Sequence, residues 1–520
     1  MSYPVPKHMN YILGIDIGTS NTKAVGYTAT GEVVADANVT YTFSSEKEGY
    51  HELDPEELFK AVVEVISSAI KTAGKANLSG ISFSSAMHGL IAVDFDGGLL
   101  TNMFTWADLR SNDYAVQLKN SALGTRLYER TGTPVHPMSP LCKIMWLKGE
   151  HPEIFKRTAK FISIKEYVFY RLFGEYVVDH SIASATGLFD IYDLNWNAEA
   201  LEAASITKDQ LSHPVSSITC MRGVLPEYIN KLGIDAATPF IVGASDGCLA
   251  HLGSNAVETA DVSLTVGTSG AVRVMMSKPI KDPKHGIFNY LLTDDIYIAG
   301  GPVNNGGNVI QWFAGSILQN NSTADMNYDW FIDEALSVEA GADGLIFLPY
   351  IFGERAPVWD ADARGVFFGI SGAHTRNHFM RAVMEGISMG LFGILKTIED
   401  VLGPVHNIYV SGGFIKSAKW VQLMADVLGK KLLVSQSTDA SAAGAAIIGM
   451  RAVGLIRELA EAGKFFTVNE TFTPDLQKHA VHLENFAVYS KIYESLKDIK
   501  NTKYAISHSG PGQDGIQSRS

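Results

Sequence analysis

The sequence predicts an α/β protein of two related lobes, each with a phosphate-holding turn. One local pattern occurs twice, strand-like and helix-like runs alternate, and the length exceeds one ordinary core. The pattern reads Ile12-Leu13-Gly14-Ile15-Asp16-Ile17-Gly18-Thr19-Ser20 near the start and Val262-Ser263-Leu264-Thr265-Val266-Gly267-Thr268-Ser269-Gly270 past the middle. The copies lie about 250 residues apart. Each is an apolar, β-branched run that breaks into Gly-Thr-Ser before another apolar run, the mark of a β-hairpin with a glycine turn. Such a turn presents backbone N–H groups and two hydroxyls to a small anion, phosphate above all. At 520 residues, two large domains are expected.

The elements follow in order. Residues 12–17, 81–83, 241–243 and 408–411 read as buried strands that run into Gly- or Ser-rich turns. Residues 55–73 read as a helix, capped by Asp54, with Pro55, Glu56 and Glu57 in the first turn and Gly74 at the end. Its apolar face carries Leu58, Val62, Val65, Ile66, Ala69 and Ile70. A longer helix is expected over 378–402, a third over 418–428 capped by Ser417, and a small-residue helix from Ala440 capped by Asp439. The junction falls between about Gly253 and Asp261, giving lobes over 10–253 and 261–455 and an extension with a polar tail over 456–520. The tail after Tyr504 is expected to be mobile.

Composition narrows the function. Hydrophobic residues make up 46% of the chain, with 48 glycines, which suits a loop-rich α/β protein. No apolar stretch reaches the length of a membrane span, and Met1 to Asn10 lacks a signal-peptide core. Cys142, Cys220 and Cys248 are far apart and lack metal spacing, which points to a reducing, cytoplasmic setting. A net charge of −13 disfavours nucleic acid as a partner but leaves room for a local positive pocket and an anionic substrate.

Four constellations carry chemistry. Asp16 is an acid in an apolar strand, expensive as bare structure and well suited to Mg²⁺ with nucleotide phosphates. Ile241-Val242-Gly243-Ala244-Ser245-Asp246-Gly247 is a strand that ends on an acid, where ligands of open α/β sheets bind. Asp246 is thus a candidate general base, a helix cap, or both. Tyr409-Val410-Ser411-Gly412-Gly413-Phe414 leaves a strand through two glycines, a candidate nucleotide seat. No G-x-G-x-x-G or Walker loop is present. Ser84-Ser85-Ala86-Met87-His88-Gly89 and Trp106-Ala107-Asp108-Leu109-Arg110 supply an imidazole, an indole, a carboxylate and a guanidinium, a mixture that holds polyols.

With these runs on the page, the chain resembles the FGGY carbohydrate kinases of the sugar-kinase, actin and Hsp70 superfamily. Met138-Ser139-Pro140-Leu141-Cys142-Lys143-Ile144-Met145-Trp146 fits the family's first signature. Gly365-Val366-Phe367-Phe368-Gly369-Ile370, with His378-Phe379-Met380-Arg381-Ala382-Val383-Met384-Glu385 seven residues later, fits the second. The resemblance implies two RNase H-like domains around a central cleft, ATP with Mg²⁺, and phosphoryl transfer to a sugar or sugar acid. It implies Asp16 as the magnesium-associated acid and Asp246 as the base. Thr19, Ser20 and Lys23 become the first phosphate loop, and Gly267, Thr268 and Ser269 the second. Gly307 and Gln311 line the nucleotide site, and Gly412, Gly413 and Ser417 form the adenosine motif. Met87, His88, Trp106, Asp108, Arg110 and Asp246 face the sugar. Met87-His88-Gly89 resembles the Met-His-Gly loop of xylulose kinases, while the fuller runs Ser84-Ser85-Ala86-Met87-His88 and Thr105-Trp106-Ala107-Asp108-Leu109-Arg110-Ser111 look more like gluconate kinases. Glycerol kinases carry Arg-Glu in place of Met87-His88. A sugar acid makes Arg110 the leading partner of its carboxylate and His88 the second. Many members pair, so a homodimer fits the resemblance.

Overall fold

The computed structural model describes residues 9–42, 47, 49–319, 328–435 and 439–499. Two mixed β-sheets carry the chain. The first holds β1 (Tyr11–Ile17), β2 (Asn21–Thr28), β3 (Val33–Thr40), β4 (Leu78–Ser85), β5 (Cys220–Met221) and β6 (Phe240–Ser245), in the order β5-β6-β4-β1-β2-β3. The second holds β7 (Val262–Val266), β8 (Gly270–Met276), β9 (Phe288–Leu291), β10 (Tyr297–Val303), β11 (Ile408–Ser411), β12 (Leu432–Ser435) and β13 (Val468–Phe472), in the order β9-β10-β8-β7-β11-β12-β13. Five strands of each sheet share one plan. In β3-β2-β1-β4-β6 and in β10-β8-β7-β11-β12, the first two neighbour pairs are antiparallel and the next two parallel. The repeat in the sequence is therefore a repeat of topology, as two RNase H-like lobes require.

The helices used below are α1 (Pro55–Ala73), α2 (Pro140–Glu150), α3 (Asp246–Gly253), α4 (Gly307–Trp312), α5 (Arg376–Leu402), α6 (Ala418–Leu428), α7 (Ala440–Ala452) and α8 (Leu476–Leu496). α1 spans its expected residues, with the Asp54 carboxylate accepting from the Glu56 N–H. Its six expected apolar residues are all buried against the first sheet. Ser417 and Asp439 cap α6 and α7 through the N–H groups of Trp420 and Ala442. α5 starts at Arg376, two residues before the expected 378, because Thr375 and His378 close a capping box there. Among the described residues no helix is long and apolar enough to cross a membrane.

Two placements modify the sequence-based division. α7, expected in the second lobe, lies beneath β1 and β4 of the first sheet and crosses α3. The chain after 455 is not a separate appendage: β13 pairs with β12, and α8 packs on α6. The tail after Tyr504 lies outside the described residues.

The α3–α7 crossing admits no side chain at its closest points. A Cβ on Gly253 would stand 1.9 Å from the Ala440 carbonyl oxygen, and one on Gly444 2.0 Å from that of Leu249. Both obstacles are backbone, which cannot turn aside. Gly444→Val should therefore lower the unfolding free energy by at least about 1–3 kcal/mol. Gly372→Ala, where nothing lies within 4 Å of the added carbon, should stay within about 0.5 kcal/mol of the parent. Chemical denaturation of both variants checks the pair.

Candidate functional site

The site forms where the carboxyl ends of the parallel strands meet. In the first sheet Asp16 is level with Ser84, and Ile17 and Ser245 are both level with Ser85. In the second, Thr265 is level with Ser411, immediately before the exits at Gly267 and Gly412. The two edges touch: Ser254 Oγ lies 3.3 Å from Ser411 Oγ, and Ser441 Oγ–H donates to the Asp246 carbonyl at 3.4 Å.

Both Gly-Thr-Ser segments are the expected hairpin turns. The Gly18 N–H donates to Asn21 O at 3.0 Å, and the Gly267 N–H to Ser269 O at 2.8 Å. Ser20 and Thr268 are exposed at the tips. Lys23 lies on β2 opposite Asp16, and its ammonium pairs with Asp439 at 2.7 Å. It thus joins the first turn to the start of α7. In the second lobe the N-terminus of α4 docks on the other turn. The Gly307 N–H donates to Gly267 O at 2.8 Å and the Asn308 N–H to Thr268 O at 3.2 Å. Gln311 is exposed on α4, Gly412 and Gly413 are exposed at the β11 exit, and Ser417 caps α6.

A bulge aims the first lobe's second acid. The β4–β6 register shifts between Ile241 and Ala244, where Gly243 takes φ +74°. Any Cβ there would lie 1.8 Å from Phe83 O, so only glycine forms the bulge that sends Asp246 out of the sheet. Ser245 holds the cap position of α3 and Asp246 is its first residue, with Oδ1 accepting from the Gly247 N–H at 2.7 Å. Burial raises the Asp246 pKa, while backbone hydrogen bonds from Gly247 and the nearby Arg273 oppose the rise. Burial, and then the charge of Asp246, push Asp16 up to about 7, against a 2.7 Å hydrogen bond from Ser84. Two carboxylates thus stand at neighbouring strand ends within each other's field, which suits a cation and a proton acceptor.

The two sugar loops are tied together by a residue of the first signature. Lys143, buried on α2, donates to the carbonyls of His88 and Thr105 at 2.7 Å each and to that of Phe104 at 3.4 Å. Met87 packs where a Cβ on Gly247 would meet it, so that loop sits beside Asp246. His88 has φ +66°, and its Nδ1–H donates to Ala185 O at 2.8 Å. This leaves Nε2 as an acceptor. Burial, then Lys143, hold the imidazole down at about 3, so it is neutral.

These placements correct the assignment of the carboxylate partner. Arg110 pairs with Asp108 at 2.7 Å and Glu52 at 2.6 Å, and lies 3.9 Å from the Tyr50 and Phe104 ring centres. Asp108 is buried and also accepts from the His51 N–H at 2.9 Å. Arg110 and Asp108 therefore neutralise each other and hold the loop. Neutral His88 cannot be the second cation. Trp106 does face another guanidinium, that of Arg355, at 4.7 Å.

Sequence reasoning missed Arg273 and Arg355. Arg273 lies on β8, with Nε and Nη2 each 3.5 Å from the position of a Gly247 Cβ. Its Nη1, Tyr290 Oη and His136 Nε2 are buried without a hydrogen-bond partner. The signal was present: Arg273 is a lone charge between apolar Val272 and Val274, as Asp16 is between Ile15 and Ile17.

Comparison with known proteins agrees with this geometry. Residues 11–253 match the N-terminal domain, and residues 262–453 the C-terminal domain, of the FGGY family of carbohydrate kinases. A gluconokinase of Bacillus subtilis is 43% identical over 86% of this chain and 88% of its own length. The crystal structure of a gluconate kinase from Lactobacillus acidophilus superposes with a TM-score of 0.89 at 37% identity, covering 94% of this chain and 98% of that one. A ligand-bound xylulose kinase from the same organism superposes with the same TM-score of 0.89, also at 37% identity, over 95% of this chain and 99% of that one. With both domain models matched in order on a duplicated two-lobe fold, the chain belongs to the FGGY family of carbohydrate kinases.

Proposed function

We propose that this sugar kinase transfers the γ-phosphoryl group of ATP to the primary hydroxyl of D-gluconate, giving 6-phospho-D-gluconate and ADP. The placement of Asp246 supports the chemistry. Its carboxylate leaves the sheet on a glycine bulge and stands beside the Met87–His88 loop and across from Arg273. There it accepts the proton of the acceptor hydroxyl as that oxygen attacks the γ-phosphorus. The O–H bond breaks toward Asp246, the new P–O bond forms, and the bond to the ADP oxygen breaks in line. His88 Nε2 and the Trp106 ring orient the acceptor. The turns at Thr19–Ser20 and Gly267–Ser269 hold the phosphates by N–H and hydroxyl donors, and the exposed Gly412–Gly413 exit takes the adenosine. Positioning and electrostatics supply the rate, with no covalent intermediate.

Magnesium fits the donor set. Asp16 offers a half-buried carboxylate, its pKa raised by burial and then by the charge of Asp246, and one carboxylate plus nucleotide phosphates is a common magnesium arrangement. When bound with the nucleotide, Mg²⁺ supplies neutralisation of phosphate charge. The gluconate assignment follows the B. subtilis relative and the character of both sugar loops. The L. acidophilus xylulose kinase supports a second reading, a pentulose acceptor at the same site. Three free thiols fit a cytoplasmic enzyme.

A coupled ADP-release assay with D-gluconate, D-xylulose, L-ribulose and glycerol should give the highest kcat/KM for D-gluconate. A preference for D-xylulose moves the assignment to the second reading. Asp246→Asn keeps the shape and removes the acceptor, so kcat should fall by about 10²–10⁴-fold at saturating substrates. A variant of near-normal kcat removes Asp246 from the base role. Because burial raises both Asp16 and Asp246, their protonation on the acid side should cut kcat/KM above the ordinary aspartate range of about 3.9, as one limb belonging to the pair. Asp16→Ala should lower turnover and raise the magnesium needed for half-maximal rate, with unfolding unchanged. An unaltered magnesium titration contradicts the assignment.

A further inference from the structure

We propose that Arg273 and Arg355 form an anion-receiving pair in the acceptor site and hold the carboxylate of a sugar acid. The proposal rests on the kinase reading above and deepens it by naming the acceptor's charged end from the protein side.

Neither guanidinium has an ion-pair partner within 4 Å among the described residues. Arg273 carries a buried Nη1 with no hydrogen-bond partner. Arg355 is 8% exposed, and its guanidinium is met by neutral groups. Nε donates to Asn304 Oδ1 at 2.7 Å and Nη2 to Val303 O at 3.2 Å, while the Trp106 ring covers one face at 4.7 Å. The adjacent Glu354 does not neutralise it directly. That carboxylate accepts from the Asn304 N–H at 2.6 Å, Asn305 Nδ2 at 2.9 Å and the Arg355 N–H at 2.9 Å.

A desolvated cation without a counter-ion is costly, and both of these lie along β10: half-buried Arg273 is level with Gly300, and buried Arg355 donates to Val303 O. Both also lie within the field of Asp246. An anionic guest with a planar, two-oxygen head matches this arrangement, since the guanidinium fork pairs with a carboxylate through two parallel hydrogen bonds. The other cations nearby are committed elsewhere: Arg110 to Asp108 and Glu52, and Lys143 to backbone carbonyls. Tyr290 Oη, on a ring 5.8 Å from that of His88, is likewise buried without a hydrogen-bond partner. The phosphate turns have their own donors, so the pair serves the acceptor.

The test compares D-gluconate with D-glucitol, a neutral polyol with the same number of carbons, by calorimetric titration of the full-length protein without nucleotide, alongside kcat and KM. Arg273→Gln and Arg355→Gln should each weaken D-gluconate by roughly tenfold to a hundredfold and leave D-glucitol unchanged, since each removes one charge-assisted contact. KM for D-gluconate should rise with kcat held. Equal losses on both polyols make the pair structural and overturn the proposal. A fall in kcat with D-gluconate affinity unchanged overturns it in favour of the transferring phosphoryl group as the anion. Should a glutamine variant fail to fold, Arg273→Lys and Arg355→Lys, which keep the charge and lose the fork, should still weaken D-gluconate selectively, and undiminished affinity overturns the proposal. A parent protein that fails to bind or phosphorylate D-gluconate while accepting D-xylulose refutes the gluconate reading instead, a result separate from any effect of the variants.

Discussion

The close crossing of α3 and α7 is the constraint on which the site depends. Two helix backbones and the first sheet meet with no room for side chains at Gly253 and Gly444, and the neighbouring faces are small: Ala442, Ala445 and Ala446. The chemistry begins where these helices begin. Asp246 is the first residue of α3, and Asp439 caps α7. Fixing the crossing therefore fixes the separation of two acids. The Lys23–Asp439 ion pair and the bond from Ser441 to Asp246 O then tie the first phosphate turn to the same point. Because α7 belongs by sequence to the second lobe but packs on the first sheet, the two lobes share this joint.

Electrostatics at this joint are unbalanced by design of the fold. The charge of Asp246 adds to the cost of ionising Asp16, and both carboxylates are half-buried. Arg273 is half-buried with a buried Nη1 that lacks a hydrogen-bond partner, and buried Arg355 donates to the neutral Asn304 and Val303. An ionised group in such a setting is costly unless a partner offsets its desolvation. On the proposed function, the acids meet a cation with phosphates and the guanidiniums meet an anion. Phosphoryl transfer brings charges of both signs into the cleft, so binding relieves strain that folding leaves in place.

The fold was legible because its signals are local. Helix α1 shows its cap, its apolar stripe and its terminal glycine in one continuous run, and the hairpins at Gly18 and Gly267 announce themselves by composition. The placement of α7 was not legible, since an alanine-rich helix gives no directional stripe and fits against either sheet. The acids of the site were visible because a carboxylate in an apolar strand is anomalous. The same rule should have marked Arg273, which breaks the run from Ala271 to Val274. Arg355 sits in a loop, where charge is ordinary, and only its burial makes it unusual. Arg110 misled for a different reason. Its partner Asp108 is two residues away and invites the reading of a ligand cluster, but its second partner, Glu52, is distant in sequence and appears only in three dimensions.

The two family signatures turn out to be largely architectural. Lys143 of the first holds the carbonyls of both sugar loops, and Arg381 and Glu385 of the second form a buried pair that accepts the Gly341 N–H. Phe367 of the second stacks on Phe347 with ring centres 4.2 Å apart. Such residues say that the cleft exists and how its walls are braced. They do not say what sugar enters. The residues proposed to face the acceptor stand instead at single positions on separate elements: Met87 and His88 after β4, Asp246 on α3, Arg273 on β8 and Arg355 in the loop after the strand Ile346–Leu348. No two of the latter three are neighbours in sequence, and none lies inside a signature. Substrate choice can then change by one side chain on β8 or its facing loop while the brace, the bulge at Gly243 and the helix crossing stay as they are. On that proposal the lining serves the acceptor and the frame serves phosphoryl transfer.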